Sequence, residues 1–425
     1  MGCARSGLTA ARYRHYLTLG AIQMDRAIKF SLNDFPAVPD SLRADPAVNL
    51  ARTHAQVNLA SLFHHYYFDC YGVAPPDPDP AHFEHLKFLA NTKDFRFRGQ
   101  GLGAAPGIMG NRSQELGQAF CRWFLHDYLN IAYFAHMHEV LNRQISGPFR
   151  YCTLKRKETG SAPDYLCSRD EMTPYLAEAK GRYTSVSFKN KEFQSWRDQF
   201  SRVEFQNAAG SLESLKGYVV ATRFATEEHA NIQSGIFAED PASPGDRPLG
   251  EGAGSELASA VVGIHYGRIA EILDQPILSA ALRTGFVVPE EIIFPVVIWE
   301  LQLPPLKGMR FVGGYFPKGS GVTPVQTDNG QVSFAKQDPF RLGVGGGTFV
   351  GLEQKIFRQV ASRARGQAIA RRERSIDRLK YSVPGQSLLN QLPLLPPIYS
   401  AISIHRDGSI LAPIEFMRPI EQVNY

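Results

Sequence analysis

The sequence predicts an α/β protein with a mixed-sheet core flanked by helices, a helical N-terminal region and a C-terminal α+β region. Three observations carry that expectation. Residues 149–224 alternate short β-rich runs with a helical stretch. Residues 10–71 place apolar side chains at helical spacing. Residues 399–416 set an Asp407-Gly408 turn between two alternating runs, which is a hairpin signal.

The N-terminal helical pattern runs through Tyr16, Leu19, Ile22, Ala27 and Ile28, then through Val57, Leu59, Leu62 and Phe63. The segment GVAPPDPDP after it is proline-rich and acidic and reads as a linker or a rigid exposed loop. Glycine-rich Arg98–Gly110 lacks the Lys-Ser/Thr ending of a phosphate-binding loop and reads as a connection. Asn111-Arg112-Ser113 offers a helix start, and an apolar, aromatic helix is expected to about Leu141.

Strand-like runs follow at Phe149–Lys155, Ala162–Ser168 and Pro174–Gly181. Lys191–Phe205 spaces Phe193, Trp196, Phe200 and Val203 as a helix does. Lys216–Phe224 (KGYVVATRF) has the β-branched density of a buried strand. A Pro/Gly/Asp loop is expected at Asp240–Gly252, a helix over Glu256–Asp274 and a β-rich run over Ile292–Leu303. The glycine run Gly343–Gly347 reads as a strand-edge loop, and a basic helix follows from about Leu352 to Tyr381.

At 425 residues, 44% hydrophobic and 20% charged, the chain is long and apolar enough for two or three packed domains. The expected divisions are a helical region over 1–97, a central domain over 98–290 and an α+β region over 291–425. The net charge of +5 permits a polyanionic partner without requiring one. Five scattered cysteines with no C-x-x-C pair argue against a disulfide framework or a zinc ribbon and for free thiols in a reducing cytoplasm. No apolar run reaches membrane-spanning length, so no membrane partner is expected. The N-terminus lacks the apolar core of a signal peptide. Met1–Ser6 matches the short myristoylation pattern, which arises by chance in many chains.

The chemistry centres on Ala162-Pro163-Asp164-Tyr165 and, thirteen residues later, Glu178-Ala179-Lys180. On a strand Glu178 and Lys180 share a face while Ala179 points to the other. An antiparallel partner carrying Asp164, turned by Arg169-Asp170-Glu171, sets Asp164 opposite Glu178. Two carboxylates that close repel unless a cation lies between them. Oxygen ligands with open water positions suit Mg²⁺, with Mn²⁺ as a substitute. Such an ion neutralises a scissile phosphate and acidifies a bound water, and Lys180 can orient that water or stabilise the transition state.

This arrangement resembles the PD-(D/E)xK phosphodiesterase superfamily, the restriction-endonuclease-like fold. Asp164 matches its Pro-Asp motif, and Glu178 and Lys180 match its E-x-K motif. The resemblance spans a quarter to a half of the chain and covers the helix–strand–strand–strand–helix–strand order from Asn111 to Phe224. It implies a cytoplasmic Mg²⁺-dependent endonuclease acting on DNA, with RNA as an alternative substrate. It also implies a place in prokaryotic antiviral defence, with a protein partner in a multi-subunit complex. By the same resemblance Glu115 supplies a further acidic ligand from the preceding helix, and Gln194 or Gln199 a polar residue from the following one. The Gln-x-x-x-Tyr variant of exonuclease branches is absent, because Asp198 follows Gln194 and Val203 follows Gln199. A non-catalytic binding subunit retaining the fold is the alternative from another class.

Other candidates are weaker. His82/His85 and His136/His138 lack the i, i+4 spacing of a helical zinc pair, and His64-His65 reads as packing or surface. No nucleophile elbow G-x-S-x-G occurs. The basic helix, with Lys355, Arg358, Arg363 and Arg365 among its cations, reads equally as a solvated face or a nucleic-acid contact. Lys155, Arg156, Lys157, Arg182, Lys189 and Lys191 flank the motif where a phosphate must approach.

Overall fold

Arg26, Ile28 and Phe30 alternate inward along Asp25–Asn33, and the same period of two recurs along His54–Asn58. In this computed structural model the described residues are 25–425, apart from 46, 71–84, 86–87, 104, 143–151, 208, 243–244, 246–252, 304–305, 317–321, 327–331, 337–347 and 367–401. The fold is mixed α/β. A seven-stranded sheet contains Asp25–Asn33 (β1), His54–Asn58 (β2), Tyr133–His136 (β3), Tyr165–Ser168 (β4), Pro174–Arg182 (β5), Gly217–Arg223 (β6) and Gly235–Glu239 (β7). Their spatial order is β2-β1-β7-β6-β5-β4-β3. The pairs β5–β6 and β1–β7 are parallel and the other neighbours antiparallel.

The expected helical N-terminal region is therefore corrected. Residues 10–24 lie outside the described residues, the described residues of 25–58 are largely strand, and Leu59–Cys70 (α1) is helical. The cause is Arg26, a cation whose side chain is buried in line with Ile28 and Phe30. Hydropathy alone hides such a position, so the alternation was masked and the spacing of its neighbours resembled a helix.

Pro106–Leu129 (α2) starts earlier than expected, because Pro106 occupies the first helical turn where its missing N–H costs nothing. It also stops earlier, at Asn130, which takes the left-handed conformation of a C-cap (φ 58°). Beyond it the expected helix gives way to β3, and only its last turn, Met137–Val140, is helical again. Where α2 crosses β5, two glycines let backbone meet backbone. A Cβ on Gly117 would lie 2.4 Å from the Gly181 nitrogen, and one on Gly181 would lie 1.6 Å from the Ser113 carbonyl oxygen.

Lys191–Arg197 (α3) connects β5 to its parallel neighbour β6. The helix does not reach Phe205 as expected. Val203 and Phe205 alternate inward in a strand, Val203–Gln206, which pairs with Thr153–Arg156 and with Leu212–Glu213 in a small sheet. Ala253–Ile272 (α4) and Pro276–Thr284 (α5) follow, α4 lying against β3 and β4.

The C-terminal α+β region has a six-stranded sheet of Pro295–Leu301 (β8), Arg310–Phe316 (β9), Thr348–Glu353 (β10), Ser403–Ile404 (β11), Ser409–Pro413 (β12) and Met417–Asn424 (β13). Its order is β11-β12-β10-β9-β8-β13. The expected basic helix begins at Gln354 (Gln354–Ala364, α6), because the Glu353 carboxylate accepts the Ile356 N–H and caps it. Its expected continuation beyond 366, and Gly343–Gly347, lie outside the described residues. The Asp407-Gly408 turn joins β11 and β12, with Gly408 at φ 85°. One apolar core runs from the large sheet through α1, α2 and α4 to Val312, Val350 and Leu411 of this second sheet. Among the described residues no helix is long and apolar enough to cross a membrane.

Candidate active site

The β4–β5 hairpin brings Asp164, Glu178 and Lys180 together. Tyr165 faces Ala177 across the antiparallel ladder, so Asp164, one residue before β4, arrives beside Glu178. Asp164 Oδ2 accepts the Ala179 N–H at 2.9 Å and lies 3.8 Å from Lys180 Nζ. Lys180 Nζ also pairs with Glu178 Oε1. The three side chains thus converge as the alternation along β5 predicts.

Glu178 is 0% exposed. Gln199, buried where the chain leaves α3, donates Nε2–H to Glu178 Oε1 at 2.6 Å. The second oxygen, Oε2, has no hydrogen-bond partner among the described residues. Burial pushes the Glu178 carboxyl up to about 8, and the neighbouring Asp164 charge adds to this, while Lys180 and Gln199 pull the other way. A buried carboxylate with one oxygen saturated and the other bare is poised to take a proton or a cation.

Glu115 does not join the group, which corrects its expected role as a ligand. Its carboxylate, 45% exposed, lies 3.6 Å from His85 Nε2. Among the described residues Asp164, Glu178 and Glu115 form no three-donor cluster. The helical turn explains this: it is the preceding residue, Gln114, that faces β5, donating Nε2–H to the Ala179 carbonyl at 3.0 Å. Of the two glutamines considered, Gln199 reaches the site, whereas Gln194 bonds Asp198 and Arg197 on the exposed side of α3. Nothing in the spacing of the sequence singled out Gln114.

A cleft of about 490 Å³ opens beside Lys180, between Met109, Ser113 and Gln114 on α2 and Arg182 and Tyr183 at the end of β5. Lys155, Arg156, Lys157, Lys189 and Lys191 are exposed. Among the described residues neither His85 nor the His136/His138 pair belongs to a three-donor cluster. His82 lies outside the described residues, and His136 Nε2 lies 3.2 Å from the buried Asp69. Burial raises the Asp69 carboxyl, but His136, Arg122 and the Tyr165 hydroxyl outweigh it and hold the group well below the usual range.

No protein-family model, curated protein or solved structure matches the chain.

Proposed function

We propose that the protein is a metal-dependent nuclease of the PD-(D/E)xK kind, hydrolysing phosphodiester bonds in DNA. The observation that carries the reading is Glu178: fully buried, bound through one oxygen by Gln199 and Lys180, bare at the other, and beside Asp164. Isolated carboxylates avoid burial unless a cation or proton compensates them. The order α2-β3-β4-β5-α3-β6, with β5 and β6 parallel, also supports the restriction-endonuclease-like reading of the core.

The residues fit a hard divalent ion. Glu178 Oε2 and the Asp164 carboxylate would hold Mg²⁺, or Mn²⁺ in its place, with water filling the positions that Glu115 does not supply. A bound ion would supply charge neutralisation of the scissile phosphate and would lower the pKa of a water beside it. Lys180, between the two carboxylates, orients the attacking water and balances charge on the pentavalent phosphorus. Gln199 holds Glu178 in one rotamer, and the Ala179 N–H fixes Asp164. Asp164 thereby presents its carboxylate without a conformational search. The cleft beside Lys180 would give a nucleic-acid strand a path to the site, and Lys180 and Arg182 in its lining would offer phosphate contacts.

Purified protein is expected to nick supercoiled plasmid with Mg²⁺ or Mn²⁺ and not with EDTA. Asp164→Asn and Lys180→Ala are each expected to lower the rate by about a hundredfold or more. Cleavage that persists in both variants removes the site assignment. Labelled RNA competing in the same assay decides between the two polymers, because backbone hydrolysis uses the same chemistry on each.

A further inference from the structure

Four histidines from three separate parts of the sequence meet where the β11–β12 hairpin docks on α1 and α2. His64 and His65 of α1 both stack on His405, with ring centroids 3.6 Å and 4.0 Å away. His126 of α2 lies 5.1 Å from His65 and 4.8 Å from His405. All four are buried. His64 is satisfied at both nitrogens, by the Ser403 hydroxyl at 2.9 Å and the Ser409 hydroxyl at 3.1 Å. The Nε2 atoms of His65 and His405 are not: neither has a hydrogen-bond partner among the described residues.

We propose that His65, His126 and Asp127, with His405 lying against them, form a binding site for a transition-metal ion of the zinc class. Donor atoms of His65, His126 and Asp127 already lie within 4.8 Å of one another. The partnerless Nε2 atoms of His65 and His405 are what a neutral imidazole offers to a metal. Two or three imidazole nitrogens and one carboxylate oxygen form a borderline donor set that suits Zn²⁺ or Co²⁺ and disfavours Mg²⁺, which takes oxygen. Local charge also agrees: Asp127 and Asp407 supply carboxylates, and the nearby Arg122 is already paired with Asp69 at 3.0 Å. Asp127, the least buried member, opens a path for the ion.

The ligands come from α1, α2 and the C-terminal hairpin, so the ion staples the second sheet to the first. Loading has a local consequence. His126 Nδ1 lies 2.7 Å from Asp127 Oδ1, and its Nε2 accepts the Arg406 N–H at 3.0 Å. Coordination at Nε2 displaces that amide; coordination at Nδ1 moves the ring proton to Nε2 and displaces it as well. Metal loading therefore frees the Arg406 amide.

The test uses the full chain bearing Asp164→Asn, so that the carboxylate pair is weakened as a competing site. The protein is stripped with chelator, loaded with Zn²⁺ or Co²⁺ alone, dialysed, and assayed for metal. The expected result is one retained equivalent, visible Co²⁺ absorption bands of nitrogen and oxygen ligands, a raised Tm, and faster exchange of the Arg406 amide. Adding Asp127→Asn abolishes retention and the Tm rise on loading, each read against that variant's own metal-free Tm; His65→Gln does the same to the absorption bands. No retained ion in the stripped and reloaded protein overturns the proposal. So does retention unchanged by Asp127→Asn and His65→Gln, or a Tm rise that Mg²⁺ reproduces.

Discussion

Gln199 donates its side-chain amide to Glu178 Oε1 at 2.6 Å, while Oε2 of the same carboxylate is left bare. The glutamine thus fixes which oxygen is available. A hydrogen bond to a charged group contributes about 1.5–3 kcal/mol, so its loss weakens whatever depends on the orientation of Glu178 by roughly tenfold to a hundredfold. Gln199→Leu is expected to raise the Mg²⁺ concentration for half-maximal cleavage by that factor and leave the oligonucleotide Kd within about twofold. An unchanged Mg²⁺ requirement contradicts the positioning role.

Activity and stability part company at Glu178. Its carboxyl is raised to about 8 in the folded protein by burial and by Asp164, so the folded state holds a proton that the unfolded state releases near 4.5. The stability this proton gives is fully present below about pH 4.5 and is lost as pH rises through about 8. Glu178→Gln removes the titrating group and keeps the shape. The variant is expected to gain stability over the parent at pH 8–9, to lose that advantage towards pH 5, and to be inactive. Denaturant unfolding of the metal-free proteins at pH 5 and pH 9 measures it; a gain that is equal at both pH values shows that Glu178 does not titrate in this range.

The same proton competes with the metal. Below about pH 8 Glu178 is protonated in the metal-free protein, and the apparent affinity for Mg²⁺ falls by up to about tenfold for each pH unit. Saturating Mg²⁺ restores the rate at pH 7. A metal requirement that is flat from pH 6.5 to 8.5 separates the ion from Glu178.

The glycine crossing sets how close α2 can come to the motif strand. A methyl group on Gly181 would lie 1.6 Å from the Ser113 carbonyl oxygen, and backbone on both sides leaves no side chain to yield. Gly181→Ala is expected to destabilise the protein by about 3 kcal/mol, the upper end of ordinary overpacking, and to lower activity by displacing Gln114 from Ala179. By contrast, Gly107, with open space around its missing Cβ in the first turns of α2, tolerates alanine. Thermal unfolding of the two variants side by side checks the contrast. Equal Tm values rule out the close crossing.

The motif strand was legible because its signals are local. Pro174 starts it, Glu178 and Lys180 alternate with alanines, and antiparallel pairing through a short turn leaves Asp164 one place to go. The N-terminal strand was not, because Arg26 is a charged residue at an inward position and only tertiary packing shows it. Glu115 failed for a related reason: one step along a helix is a 100° rotation, and spacing alone does not say whether residue 114 or 115 faces the sheet. The histidine stack was illegible in principle, since His64 and His65 read as packing until β12 brings His405 over them.

That stack makes the metal-free protein sensitive to acid. Burial holds His64 down to about 3, and burial likewise holds His65 and His405 well below the usual histidine value; His126, Arg122 and the neighbouring rings press the same way. Asp407 opposes this, but its carboxylate is committed to His265 at 2.8 Å and to the Ser409 hydroxyl and amide. The folded protein keeps these rings neutral, whereas the unfolded chain protonates them near 6.5. The stability is therefore present above pH 6.5 and is lost as pH falls towards the folded value. Three such rings give a slope of up to about 4 kcal/mol per pH unit, opposite in sign to that of Glu178 and larger than it. Unfolding free energy measured from pH 7 to pH 5 is expected to fall accordingly. Amide exchange in Ser403–Ser409 accelerates before that in β5, because the hairpin carries His405 and must move to hydrate the rings. His405→Phe keeps the aromatic stack, removes one titrating ring and reduces the slope by about a third. A slope unchanged in that variant, or exchange that rises uniformly across the chain, places the acid sensitivity elsewhere.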